Sequence, residues 1–101
     1  MAKLKFDLPA PSDSATTYEK IKKHLSGENV FKKYDSKVVC SFDEASKKCR
    51  VKGSQFDAEL SVHKKSDKES LVAIEVEVSM ALTLFKGQIK EMIEKTLKKI
   101  I

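Results

Sequence analysis

The sequence predicts an α+β fold: a five-stranded curved antiparallel sheet, in the order β-α-β-β-β-β-α, packed on one face by two helices, with a long C-terminal helix gripping the sheet. Three observations carry this expectation. Met80 to Ile101 repeats apolar residues at spacings of three and four, the period of an amphipathic helix. Several earlier stretches instead alternate apolar and polar residues, the period of a half-buried strand. Prolines, glycines and short polar clusters fall between these stretches, where chain reversals belong.

Composition sets limits on size and class. The chain has 101 residues, enough for a single α+β domain spanning 1–101 with one core and little to spare. Hydrophobic residues make up 41% and charged residues 35%, so the surface is heavily solvated. No apolar run approaches the roughly 18 residues of a membrane span, and the opening MAKLKFDLPAP has no signal-peptide core, so a cytoplasmic location is expected. The formal charge is +5, from 20 basic and 15 acidic residues, yet Arg50 is the only arginine. Base-edge readout and phosphate forks lean on arginine, so this lysine-rich balance disfavours a nucleic-acid partner.

In chain order, Lys3 to Leu8 alternates Leu4, Phe6 and Leu8 against Lys5 and Asp7, and Pro9 and Pro11 are expected to end that strand. Ser12, Asp13 and Ser14 offer N-cap oxygens to a helix whose stripe is Ala15, Tyr18, Ile21 and Leu25, with Gly27 at its C-terminus. His24 falls off the stripe and reads as an exposed helix histidine, with no Ser, Cys or carboxylate placed to use it. Glu28 to Ser36, with Val30, Phe31 and Tyr34, has no clear period and reads as a last helical turn or an ordered loop.

From Lys37 the period is two. Val38, Cys40 and Phe42 form one face; after a turn at Asp43 to Ser46, Cys49 and Val51 continue it. A simple hairpin pairs Cys40 with Cys49 and Val38 with Val51. The cysteines then read as a buried reduced pair, a cross-strand disulfide or half of a metal site. Eight intervening residues make no zinc knuckle, both histidines lie elsewhere, and a reducing cytoplasm opposes a disulfide, so buried thiols fit best. No metal or other cofactor is expected. A tight turn at Gly53-Ser54 sets Arg50 opposite Asp57 and Lys48 opposite Glu59.

Phe56, Ala58, Leu60 and Val62 then face inward, the polar loop Lys64 to Ser70 reverses the chain, and Val72, Ile74, Val76 and Val78 face inward in turn. Asp57, Glu59, Glu75 and Glu77 come together on the outward face. Paired carboxylates can hold a cation or do acid/base chemistry, but on an open face beside lysines they read as surface residues. In the C-terminal helix the stripe is Leu82, Phe85, Ile89, Met92 or Ile93, Leu97 and Ile100, with Glu91–Lys95 and Glu94–Lys98 as i,i+4 pairs. Gly87 inside it costs about 1 kcal/mol relative to alanine, which suggests a close approach to the sheet or an intended bend. No pattern assigns a catalytic residue.

Glu77 to Ile93, EVSMALTLFKGQIKEMI, resembles the end of the polyhydroxyalkanoic acid system protein family, whose members close with a strand, a short apolar run, a Phe-Lys-Gly and an amphipathic helix. Lys33-Tyr34-Asp35-Ser36-Lys37-Val38 and the Gly53 to Val62 strand are similar to its middle, and the likeness in element order spans the chain. The resemblance implies a bacterial protein associated with storage polyester and brings no catalytic residues. The arrangement also resembles a reduced helix-grip domain, the kind that holds lipids.

A binding or interaction module is therefore expected, engaging a polyester granule surface, an acyl or lipid ligand, or another protein. The alternative is a small enzyme using the outward carboxylates or a cysteine. For an apolar ligand, a dry pocket would be lined by Phe6, Phe56, Leu60, Ile74, Phe85 and Ile89. The run Met80 to Phe85 also holds more apolar residues than one face can bury. Leu84 and Met80 are expected at the rim, beside Lys86 and Lys90, as a docking edge for an amphiphile.

Overall fold

The alternating stretches pair into one antiparallel sheet. In the computed structural model, which describes residues 2–27 and 37–101, the elements are β1 (Ala2–Ala10), α1 (Ser14–Ser26), β2 (Val39–Asp43), β3 (Lys48–Lys52), β4 (Phe56–Lys64), β5 (Ser70–Val78), a 3-10 helix (Met80–Phe85) and α2 (Lys86–Ile100). The spatial order is β1-β5-β4-β3-β2. The expected last helical turn or loop at 28–36 lies outside the described residues.

One face of the sheet is the core. Leu8, Cys49, Val51, Phe56, Ala58, Leu60, Val62, Val72, Ile74, Val76 and Val78 are buried from the sheet side. Tyr18, Ile21 and Leu25 from α1 and Ile89, Ile93 and Leu97 from α2 close over them. The α2 residues recur every fourth position, so one stripe meets the sheet while the lysines between stay in water. Between the two apolar candidates at 92 and 93, Ile93 is buried and Met92 is half-buried.

Both hairpins sit two residues from the expected register. In β2–β3, Phe42 faces Cys49 and Cys40 faces Val51, so the cysteines are not directly opposite. A two-residue turn at Glu44-Ala45 would need left-handed backbone at residues that resist it. The chain uses a longer loop in which the Asp43 carboxylate accepts from the N–H groups of Ala45 and Ser46 at 3.1 and 3.3 Å, and only Lys47 takes a positive φ, of 53°. In β3–β4, Lys52 faces Asp57 rather than Gln55. There the Gly53 N–H donates to Phe56 O at 2.8 Å, which puts Ser54 and Gln55 at the tip. A slip of two keeps every side chain on its expected face, whereas a slip of one would turn the core to water.

Five further expectations are corrected. β1 does not end at Pro9 but runs to Ala10, because an edge strand tolerates a residue without an N–H. In α1, capped by Asp13 through a 2.7 Å bond from Thr16 N, Ala15 is exposed and Thr17 takes the buried place. The Thr17 hydroxyl is paired at 2.7 Å with that of Ser70, which donates to Ser12 O at 2.9 Å, so these two buried hydroxyls are satisfied.

The C-terminal helix starts at Lys86, not Met80, and none of the residues of the 3-10 helix is buried. A Cβ on Gly87 would meet nothing within 4 Å, so that glycine faces open space and marks no close approach. Along α2, Glu94 pairs with Lys90 at 3.8 Å; the expected Glu91–Lys95 and Glu94–Lys98 pairs do not form.

Candidate binding edge

The residues expected to serve a ligand divide into two groups. Phe56, Leu60, Ile74 and Ile89 are buried in the contiguous core. Phe6 is half-buried at the β1 edge, with the Lys90 ammonium 5.6 Å from its ring centre, a cation-π distance. Phe85 is 45% exposed and leaves the inward stripe expected of it; Met80 is 80% and Leu84 91% exposed, while Lys86 is half-buried. Of the six residues expected to line a dry pocket, Phe6 and Ile74 border a depression of about 120 Å³ shared with Lys5, Asp7, Glu59 and Glu75. Other depressions lie on the open sheet face, along α1 and at the β1 end.

Met80, Leu84 and Phe85 owe their exposure to where the sheet stops. Val78 is the last rung of β5, paired with Ala2 on one side and Phe56 on the other. The chain then turns through Ser79, whose N–H donates to Gln55 O and whose hydroxyl donates to Gln55 Oε1, both at 2.8 Å. Leu82 N–H and the Thr83 hydroxyl donate back to Ser79 O at 3.0 Å. This anchored 3-10 helix lies past the last rung of the sheet; Leu82 still packs against the margin of the core, whereas Met80, Leu84 and Phe85 do not reach it.

On the outward face the four carboxylates do come together, on neighbouring strands. Asp57 faces Glu77 and Glu59 faces Glu75, like charges directly opposite. Flanking cations offset the repulsion: Lys3 bridges Glu75 and Glu77 at 2.5 and 3.6 Å, Arg50 holds Asp57 at 2.8 Å, and Lys48 reaches Glu59 at 3.7 Å. The expected pairs Arg50–Asp57 and Lys48–Glu59 therefore form, but diagonally across the shifted register. They frame a depression of about 120 Å³. The Lys3 hydrogen bond holds the Glu75 carboxyl below the usual range, the opposite of what a general acid needs. Among the described residues no group of three or more His, Cys, Asp and Glu is placed to hold a metal ion.

Both cysteines are free thiols. Burial, with the neighbouring Cys40 second, pushes the Cys49 thiol up to about 12, so it holds no thiolate near neutrality. Cys40 is half-buried rather than fully inward.

His24 differs from its expected exposure. It is half-buried, Nε2 is sealed without a hydrogen-bond partner among the described residues, and burial lowers its pKa. It shares a depression of about 440 Å³ with Lys20, Lys23, Gly27 and Ile100. Periodicity carries no signal for this depression, because Ile100 comes to it from the other helix. The Tyr18 hydroxyl is likewise buried without a partner among the described residues.

No helix among the described residues is long and apolar enough to cross a membrane. No protein-family model and no curated protein matches the sequence, so the resemblance at Leu84 to Gly87 is carried by those residues alone. Solved structures do match in fold. A START superfamily protein from Mycobacterium smegmatis is similar at a TM-score of 0.61 and 9% identity, over 97% of this chain and 96% of that one. A Thermus thermophilus protein gives 0.59 and 11%, over 97% and 88%. An uncharacterised protein from a Bacillus thuringiensis strain gives 0.52 and 9%, over 98% and 96%. At these identities the likeness is one of architecture alone: the chain shares the α+β, helix-grip-like fold of these proteins, one of which is a START superfamily protein.

Proposed function

We propose that this protein is a small non-enzymatic binding module that docks through the edge formed by Met80, Leu84 and Phe85 onto an amphiphilic surface, and that this surface is a polyester storage granule. The observation that carries the reading is the exposure of Leu84 and Met80 at the end of a well-packed sheet. Single exposed apolar residues need no explanation, but three within one six-residue segment make a patch. Fully burying the Leu84 and Met80 side chains is worth about 1.5 to 3 kcal/mol each before association costs. That suits weak, reversible docking. The granule reading rests on the resemblance of Leu84-Phe85-Lys86-Gly87 to the close of the polyhydroxyalkanoic acid system proteins.

The rest of the molecule supports binding over catalysis. The outward carboxylates are ion-paired on an open face, and the Cys49 thiol is protonated and buried.

The test is co-sedimentation with washed polyhydroxyalkanoate granules. Met80→Ser with Leu84→Ser should abolish it while leaving the melting temperature nearly unchanged. Retained co-sedimentation by the folded double variant excludes this edge.

A further inference from the structure

We infer that the free edge of β1 pairs with the β1 edge of a second copy, in one antiparallel register that joins the two sheets across a two-fold axis. The inference stands apart from the Met80–Phe85 edge and uses none of its residues.

Alternation of the ladder fixes which backbone groups of β1 are free. Val62 N–H donates to Lys47 O at 3.0 Å, and Ser79 N–H donates to Gln55 O at 2.8 Å. Even-numbered residues of β4 therefore bond to β3 and odd-numbered ones to β5, so the even-numbered residues of β5 bond to β1. Leu4, Phe6 and Leu8 then turn their N–H and C=O groups to β5, and Lys3, Lys5 and Asp7 turn theirs outward. Pro9 belongs to the outward set, so its missing N–H costs no bond within the sheet. β1 is the outermost strand, nine residues long and paired without a bulge, and no described strand covers its free side. Its charged side chains are exposed on the open face, so neither a bulge nor an inward charge blocks pairing there.

The side chains choose the partner and the register. Lys5 and Asp7 make no ion pair among the described residues: Lys5 faces Glu75, which Lys3 holds at 2.5 Å, and Asp7 faces Ala73. A two-fold axis through Phe6 sets each Lys5 opposite Asp7 of the other copy, as a pair that exchanges both backbone hydrogen bonds. Phe6 then meets its own counterpart, and Leu4 meets Leu8, at the closer positions between those bonds. Leu4 and Phe6 are half-buried at the margin of the core, and this contact completes their cover. Lys3 falls opposite Pro9, which still accepts through its C=O. Lys90, above the Phe6 ring, brings its own counter-charge in Glu94. Sliding the copies by two residues in either direction would put Lys5 against Lys5 or Asp7 against Asp7. The edge is its own charge complement in one register, which names a second copy as the occupant.

The test is sedimentation velocity of the full chain over a concentration series, with amide hydrogen exchange. Dimer should form as concentration rises, and the Lys5 and Asp7 amides should become protected with it while those of Leu4 and Phe6 stay as they were. Asp7→Lys alone and Lys5→Asp alone should each weaken association by about tenfold or more, because like charges then lie opposite. Mixing the two variants should restore it, since each supplies the charge that the other lacks. A wild type still monomeric at about 1 mM overturns the inference. So does a dimer that Asp7→Lys leaves intact, or a mixture of the two folded variants that fails to associate. A dimer that Met80→Ser with Leu84→Ser dissociates, with the Lys5 and Asp7 amides still exchanging, places the self-contact at the other edge and overturns this one.

Discussion

Two consecutive segments, Met80 to Phe85 and Ile89 to Leu97, differ in fate though both carry apolar residues at helical spacing. In the second, Ile89, Ile93 and Leu97 are sealed against the sheet. In the first, no residue is buried. A single helical period runs through both in the sequence, and it reports which side chains share a face, not whether that face has a partner. The partner ends at Val78, the last rung of β5, and the 3-10 helix begins beyond it. Exposure here follows from where the sheet ends rather than from the residues exposed.

The contrast is broken most directly by truncating one side chain from each segment. Ile93→Ala should destabilise the protein by about 2 to 5 kcal/mol, the transfer loss plus a cavity in a packed core. Leu84→Ala should stay within about 0.5 kcal/mol, as for a surface substitution. Urea unfolding of both variants measures this. Equal losses would mean that the 3-10 helix packs onto something, and would remove the basis for a docking edge.

Where residues meet the sheet face, the sequence was legible; where contacts depend on two elements at once, it was not. The inward sets of β4 and β5 follow from period two alone, and shifts of two in both hairpins left them intact because parity survives such a slip. The registers themselves depend on turn chemistry, which the Asp43 carboxylate and the Gly53 N–H to Phe56 O bond decide in ways that propensity does not show. The carboxylate cluster was legible because its strands are neighbours in sequence. Thr17 escaped notice since a threonine is buried only if a distant hydroxyl, here Ser70, meets it. Among the edge residues, Leu84 and Met80 were read as surplus to the stripe, while Phe85 was placed inside it; that placement needed the helix to begin six residues too early.

A smaller effect compares the two ends of α2. Just before its start Leu84 and Phe85 meet water, whereas at its far end Ile100 borders the depression that holds His24. Burial holds the His24 pKa below the ordinary 6.5. Between the folded and unfolded pKa values the unfolded chain binds more protons, so this contribution is intact above pH 6.5 and is lost as pH falls through that window. The melting temperature of the wild type should therefore decline as pH drops from 8 to below about 6.5, more than that of His24→Leu. Parallel curves for the two proteins would mean that His24 is solvated and that the helix ends are alike.

Gly87 stands at the junction between the exposed and buried segments and gives the finest test of where one becomes the other. Were α2 already pressed against the sheet at this point, any side chain at 87 would overpack, costing about 1 to 3 kcal/mol. The structure has open space there, with no atom within 4 Å of an added Cβ, and the glycine does not use a positive φ. Only the conformational cost of glycine in a helix then remains. Gly87→Ala should stabilise the protein by a few tenths of a kcal/mol, up to about 1, less than a mid-helix site would give because residue 87 lies in the first turn. Paired urea titrations resolve a change of that size through the midpoint at constant slope. A loss of stability would move the onset of close packing forward to Gly87, and would draw Phe85 and Lys86 toward the core and away from the edge.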